Sequence, residues 1–509
     1  MTARTIAGSF ARLATGSCLT ALACIALSTA SQATTPTISN LSPSFGNVGA
    51  SVVIFGSNFG TTTGTVKFNG TTATVGAWSA NRINVTVPTG ATTGTVTVTN
   101  SGGTATSTAD FNVLATDATL VLGAFPPLSA SCGLLPAGHN CITEYQGDVM
   151  PNVDGITLVF QWSSIESSNG TDTGSGGYSW TNMDADINKY VGQTNWNASK
   201  KVGIVLSPVT NGNSTSGANI STPSYVFSST WATTAGASSP LEECTCGYYP
   251  GDSGAPTNNG CWNSSTSSDT SGMPAAWQKP FYVALQNFQS AAISHINSAS
   301  YSYAVAYVRM GLAAGGEMFP YCSSNLETLV SPSTAAELES VWTGYADTMF
   351  VYEGGLGSQH PIMAAPDGGQ NAVVTGAWAD TEASDAVGQG LQLGSEGFQF
   401  QDTIHVYTGL PCSNDWCYTF STDDPPIREL QTLQQSVPAE NTCGSNTSAG
   451  GDYTDTGSLV CLLPYAEGKA NSVELYPGDM FLSYDPNYTG YSTYGAAYAS
   501  AIAHARAGD

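Results

Sequence analysis

From residue 36 to residue 114, apolar and polar positions alternate in short runs. These are Ser51-Val-Val-Ile-Phe55, Thr65-Val-Lys-Phe68, Ile83-Asn-Val-Thr-Val87 and Thr95-Val-Thr-Val-Thr99, each followed by Gly, Asn or Pro. Period-two runs punctuated by turn residues predict strands half-buried in a small antiparallel sandwich. Beyond residue 115 the pattern changes to apolar runs separated by helix-like stretches. The runs are Thr119–Ala124, Gly155–Phe160, Lys201–Leu206, Ala304–Arg309, Pro361–Ala365, Gly390–Gly394, Ile427–Gln431 and Ser472–Tyr476. Helices are expected over Phe281–Ser298, Ser333–Tyr352, Gly457–Ala470 and Tyr494–Arg506.

Eight such strands with helices between them predict the α/β class and a (β/α)8 (TIM) barrel over residues 115–509. Continuous apolar strands suit a parallel sheet covered on both faces. Insertions rich in Gly, Ser, Thr and Asn interrupt the pattern at 209–275, 403–425 and 436–456. The sandwich, residues 34–114, is then a small all-β immunoglobulin-like unit preceding the barrel.

The start of the chain reads differently. Arg4 and Arg12 precede an apolar run, Leu13–Leu27, and Ser31-Gln32-Ala33 offers a small-x-small cleavage site, the pattern of a secretory signal peptide over residues 1–33. The run is shorter than the ~20 residues of a membrane span. A lipid anchor on Cys24 is the rival reading, opposed by the apolar residues that continue past it. Secretion is the expected localisation.

Charge narrows the partners. The chain has 12 Lys and Arg against 37 Asp and Glu, a formal net charge of −25, and both arginines of residues 1–33 would leave with the signal. Nucleic acid and anionic membrane surfaces need the opposite sign. Few bases and many hydroxyl and amide side chains suggest an acidic extracellular setting. The 10 Trp, 23 Tyr and 17 Phe argue against disorder.

Loss of Cys18 and Cys24 would leave ten of the 12 cysteines, an even number in an oxidising compartment. Cys132/Cys141 and Cys412/Cys417 are close enough to pair locally. Cys443/Cys461 and the set Cys244, Cys246, Cys261 and Cys322 remain, with pairing open. Their spacing fits no standard zinc motif, and the histidines lack His-Glu-x-x-His spacing, so no metal is expected. Glycine-rich runs without a P-loop lysine imply no nucleotide, and no cofactor is expected.

The 36–114 segment carries Pro36-Thr-Ile-Ser-Asn-Leu-Ser-Pro43, Gly46, Gly49, Ile54-Phe-Gly-Ser-Asn-Phe59, Val66-Lys-Phe-Asn-Gly70 and Val85-Thr-Val-Pro88. By these residues it resembles the IPT/TIG family of immunoglobulin-like domains, which implies a spacer or binding module. Its titratable groups, Asp110, Lys67 and Arg82, form no catalytic set. Trp78 is a candidate for sugar contact, with a packing role as the plainer reading.

In a barrel of this kind the active site lies at the C-terminal ends of the strands. The second strand runs into Gln161-Trp-Ser-Ser-Ile-Glu166, the fourth into Arg309-Met-Gly-Leu-Ala-Ala-Gly-Gly-Glu-Met-Phe-Pro320, the seventh carries Glu429 and the eighth Glu474, Tyr476 and Asp479. Two carboxylates among aromatics are what glycosidic cleavage needs: one protonates the departing oxygen, the other attacks the anomeric carbon or activates water. Trp162, Phe319 and Tyr476 offer faces for sugar rings. Arg309 reads as a buried partner of an acid or a substrate ligand.

Trp162-x-x-Ile-Glu166 with Gly177-Tyr-x-Trp180 and Asp184, and Met310-Gly-Leu-Ala-Ala-Gly-Gly-Glu-Met-Phe-Pro320, resemble strand motifs of TIM-barrel glycoside hydrolases of β-amylase-like and β-galactosidase-like type. That resemblance implies Glu317 as acid/base and a strand-seven partner, Glu429, with Glu474 in its place if the strand count shifts by one. Gly316 stands where the large retaining clan has Asn. Glu474 and Asp479 would otherwise bind substrate, while Glu166 reads as a helix-start or loop carboxylate and Glu396 ends the sixth strand.

The expectation is therefore a monomeric glycoside hydrolase acting on a polysaccharide or oligosaccharide, probed against a non-catalytic sugar-binding or adhesion protein on a degenerate barrel. A transglycosylase would use the same residues. Gly251-Asp-Ser-Gly-Ala-Pro256 resembles the nucleophile motif of trypsin-like proteases, but such an enzyme needs two antiparallel barrels.

Overall fold

The computed structural model describes residues 34–166, 177–209, 221–246, 271–313, 335–366, 376–398, 423, 425–432, 436 and 458–508. The first unit has nine strands: β1 (Thr37–Ser42), β2 (Phe45–Asn47), β3 (Ser51–Ser57), β4 (Thr65–Phe68), β5 (Thr71–Thr72), β6 (Thr74–Trp78), β7 (Arg82–Thr86), β8 (Gly94–Asn100) and β9 (Gly103–Leu114). They form two sheets, β1-β3-β7-β6 and β2-β9-β8-β4-β5. The inward residues of the alternating runs meet between the sheets, among them Val52, Ile54, Val66, Phe68, Ile83, Val85, Val96, Val98 and Phe111. Phe68 meets Phe111 edge-on at 5.0 Å.

The second unit is a closed barrel of eight parallel strands: β10 (Leu120–Ala124), β11 (Gly155–Gln161), β12 (Lys201–Ser207), β15 (Val305–Met310), β16 (Ile362–Ala364), β17 (Gln392–Phe398), β18 (Arg428–Thr432) and β19 (Ser472–Leu475). A side hairpin, β13 (Glu243–Cys246) with β14 (Ser271–Pro274), leaves the ring between β12 and β15. Helices lie between barrel strands, including Lys279–Ser298, Ala335–Gly354, Gly376–Gly388 and Leu459–Ala466. A closed parallel barrel is incompatible with the two-antiparallel-barrel protease.

Outward strand residues such as Val202, Ile204, Val308, Leu393, Leu430, Val473 and Leu475 join the helices in one large core. Inward positions follow the alternate register. A Cβ on Gly203 would lie 2.6 Å from Thr157 Oγ1 and 2.7 Å from the Tyr307 hydroxyl, so this strand keeps glycine where a neighbouring side chain crosses the interior.

The sandwich closes the N-terminal end of the barrel. Phe45 of β2 packs with Leu120, Leu122, Ala306, Tyr307, Met363 and Ile427. Around it, the Asp110 amide donates to Ala198 O at 3.0 Å, Asn112 Nδ2 to Ser199 O at 2.9 Å and Lys201 Nζ to Asp110 O at 2.6 Å. On the other side Asn40 Nδ2 donates to His360 Nδ1 at 3.0 Å, and His360 Nε2 meets Ser302 Oγ at 3.0 Å. Burial holds the His360 imidazole neutral, lowering its pKa to about 4.

Cys132 and Cys141 form a disulfide, and Cys461 is also disulfide-bonded. The cysteines at 261, 322, 412, 417 and 443 lie outside the described residues, as do residues 1–33 and most of the long insertions. Among the described residues no helix is long and apolar enough to cross a membrane.

Candidate active site

The barrel interior changes character above its apolar floor. Tyr307 and Arg309 sit two apart on β15, so both face inward. Glu429 and Gln431 do the same on β18, and Glu474 on β19. All three charged side chains have no exposed surface.

Arg309 organises this layer. Its Nη1 donates to Glu429 Oε2 at 2.9 Å, and its Nη2 donates to Gln431 Oε1 at 2.9 Å and Glu474 Oε2 at 3.3 Å. The Tyr307 hydroxyl donates to the other Glu474 oxygen and lies 3.3 Å from Thr157 Oγ1. Burial, reinforced by the Glu474 and Glu429 charges, pushes the Tyr307 hydroxyl well above its usual range, so it stays a proton donor. Gly394 on β17 makes room: a Cβ there would stand 2.7 Å from Glu429 Oε2.

The two carboxylates differ in depth along their strands. Register pairs Glu429 with Ser472 and Gln431 with Glu474. Glu474 stands one residue from the C-terminal end of β19, whereas Glu429 stands three from that of β18. At the mouth itself, Tyr476 follows β19 and Phe125 follows the adjacent β10, with ring centroids 5.4 Å apart and planes inclined at 52°.

The structure buries two more of the residues expected to contact substrate. Trp162 is fully buried, because the chain turns after Gln161 into the short helix Trp162–Ile165. Its ring stacks on Phe288 at 5.5 Å and meets Phe281 edge-on at 5.8 Å, while Nε1 donates to Glu166 Oε2 at 2.7 Å. It belongs to the helix layer and offers no face to a sugar. Glu166, which also accepts from the Tyr225 hydroxyl at 3.0 Å, is the anchor of that corner.

Asp479 lies in the helix Pro477–Tyr484, fully buried, and accepts from Ser436 through both its backbone amide (3.1 Å) and its hydroxyl (2.5 Å). Ser436 Oγ in turn lies 2.7 Å from the Tyr498 hydroxyl. This carboxyl fastens one segment to the C-terminal helix, and burial raises its pKa to about 7. Glu317 and Phe319 lie outside the described residues, and so does the protease-like 251–256 stretch. Arg309 is a buried partner of two acids. Trp78 of the sandwich donates its indole N–H to Phe59 O at 3.3 Å and Gly60 O at 3.2 Å.

Tyr307 and Gln431 escaped the sequence reading. The signal was available: in Val-Ala-Tyr-Val-Arg309 the two polar residues share one face of an apolar strand, as do Glu429 and Gln431. Phe125 was hidden inside an apolar stretch.

Comparison with known proteins identifies the first unit. Residues 36–113 are an IPT/TIG domain. A cyclomaltodextrin glucanotransferase of Geobacillus stearothermophilus is 54% identical to the chain over 54 residues, 11% of this chain and 8% of that protein. The chain thus spans less than a tenth of the length of this curated relative. Among solved structures, a gamma-CGTase from Alkalophilic bacillus clarkii is 35% identical over 16% of this chain and 13% of its own, with a TM-score of 0.15. A D-psicose 3-epimerase solved in the presence of D-fructose covers 76% of this chain and 96% of its own at 9% identity, with a TM-score of 0.34. Neither score amounts to a shared overall fold.

Proposed function

We propose that this chain is a secreted glycoside hydrolase, with a signal peptide at 1–33, an IPT/TIG domain at 34–114 and a catalytic (β/α)8 barrel at 115–509. The observation that carries the reading is the convergence of Glu429 and Glu474, from the last two strands, on one buried arginine beneath an aromatic mouth. The IPT/TIG domain and the fragment shared with a glucanotransferase lend support from carbohydrate-acting proteins.

In this reading Glu317 protonates the departing glycosidic oxygen. A second carboxylate attacks the anomeric carbon, and water then releases the sugar while Glu317 takes back a proton, with net retention. Glu474 is the better placed of the two candidates, because it lies nearer its strand end and directly precedes the mouth. Glu429 then shares Arg309 and holds it. Arg309 and Tyr307, bonded to the two oxygens of Glu474, act as positioning residues that orient that carboxylate.

The complete burial of both carboxylates is the observation that favours the second reading, a sugar-binding protein on an inactive barrel. Kinetics of Glu317→Gln, Glu429→Gln and Glu474→Gln on a hydrolysed polysaccharide separate the two. Losses of about 10²-fold or more in kcat are expected for Glu317→Gln and Glu474→Gln. Full activity in both variants would end the assignment, and saccharide binding with no turnover by the native protein would establish the second reading.

A further inference from the structure

The mouth pair has features that barrel packing does not require. Phe125 is 38% exposed, among the few large apolar side chains that are. Its backbone has φ +48°, a left-handed conformation that is unfavourable for a bulky residue. The strain is held from both sides. The Phe125 amide donates to Thr157 O at 3.0 Å, continuing the ladder with β11, and beyond Pro126 the Tyr190 hydroxyl donates to Pro127 O. A strained backbone held in place by its surroundings motivates a functional reading of this position.

We propose that Phe125 and Tyr476 form a binding subsite for an uncharged sugar ring at the barrel mouth. The proposal rests on the carbohydrate reading above and adds the ligand's class and the residues that seat it. A pyranose ring presents C–H groups on its faces and hydroxyls at its rim. The two rings touch, 5.4 Å apart and inclined at 52°, and the exposed part of Phe125 offers an apolar platform for such a face. Rim hydroxyls then reach Gln161, the half-buried residue that ends β11 next to β10.

Charge selects the neutral class. The chain carries a formal −25, two carboxylates lie beneath the mouth, and the guanidinium between them already serves both. A uronic acid would meet repulsion there.

The test is calorimetric titration of the full chain with maltoheptaose, cellohexaose, xylohexaose, mannohexaose and, as the charged control, tetragalacturonate. Variants are Phe125→Gly, Phe125→Trp and Tyr476→Ala. One or more neutral oligosaccharides should bind the native protein. Phe125→Gly should weaken that binding about tenfold or more, as expected for loss of an aromatic platform, while Tm stays level or rises, because glycine accepts the backbone. Phe125→Trp should keep binding. Unchanged affinity in Phe125→Gly and Tyr476→Ala, tighter binding of tetragalacturonate, or no neutral ligand bound at millimolar concentration would each overturn the subsite. The fate of the hydrolase reading is read separately, from reducing ends. Ring-dependent binding without hydrolysis keeps the subsite and removes the enzyme, whereas hydrolysis with an unaltered KM in Phe125→Gly does the reverse.

Discussion

Arg309→Met should be among the most damaging single substitutions in the barrel. The guanidinium is fully buried and lies 2.9 Å from Glu429 and 3.3 Å from Glu474. At an effective dielectric of about 20, two charges about 4 Å apart attract by about 4 kcal/mol, so two contacts give a gross attraction of about 8 kcal/mol. The desolvation of the arginine offsets part of this. What remains when only the cation is removed is two buried carboxylates without their counter-charge, and breaking a buried pair in that way costs about 3–5 kcal/mol. Denaturant unfolding at pH 7, followed by tryptophan fluorescence, measures the loss. A further arm isolates the cause. The triple variant Arg309→Met/Glu429→Gln/Glu474→Gln should recover at least half of the loss, because both signs of charge have gone. A loss under about 1 kcal/mol, or a triple variant no better than the single, would refute the electrostatic account of the site.

Other outcomes follow from the same structure. Phe45→Ala should destabilise the protein by about 3–5 kcal/mol, since it empties the apolar floor shared by the two units; differential scanning calorimetry reads this, and a change confined to an IPT/TIG transition would contradict the shared floor. Glu353 is buried, with its pKa raised to about 8 by desolvation, and Gln289 donates to it at 2.7 Å. Its folded-state pKa exceeds the unfolded value, so the native state holds the extra proton and stability falls as pH rises from about 4.5 to about 8, by up to about 1.4 kcal/mol per pH unit. Glu353→Gln should flatten that decline in stability measured across the same window. His360 acts with the opposite sign: its pKa is lowered to about 4, so stability falls as pH drops from about 6.5 to about 4, and His360→Gln should remove that slope. Removing the Cys132–Cys141 bridge, which closes a short loop, by the double variant Cys132→Ala/Cys141→Ala should cost about 2–4 kcal/mol, checked by denaturant unfolding beside the native protein.

Much of this architecture was legible in the pattern of apolar residues. All eight runs read as barrel strands lie in the ring in chain order, because parallel strands covered on both faces must be apolar throughout. The sandwich strands showed their period of two for the converse reason, one face packed and one wet. Inward acids on the last two strands stood out because charge inside such a run is costly unless paired. Directions set by tertiary contacts were not legible. Trp162 follows a strand but packs on Phe281 and Phe288, since the chain enters the helix Trp162–Ile165 directly after Gln161. Asp479 looks like a loop acid, and only the approach of Ser436, 43 positions away, explains its burial. Phe45 resembles any sandwich core residue, yet it fills the end of another unit.

The most direct measurement is the release of reducing ends from a panel of plant, fungal and bacterial polysaccharides between pH 4 and pH 7, by the native protein and by Glu474→Gln. The account predicts release from at least one neutral polysaccharide and loss of that release in the variant. Release that persists undiminished in Glu474→Gln would contradict the site, and no release from any substrate, with a polysaccharide nonetheless retained by the protein, would contradict the enzyme.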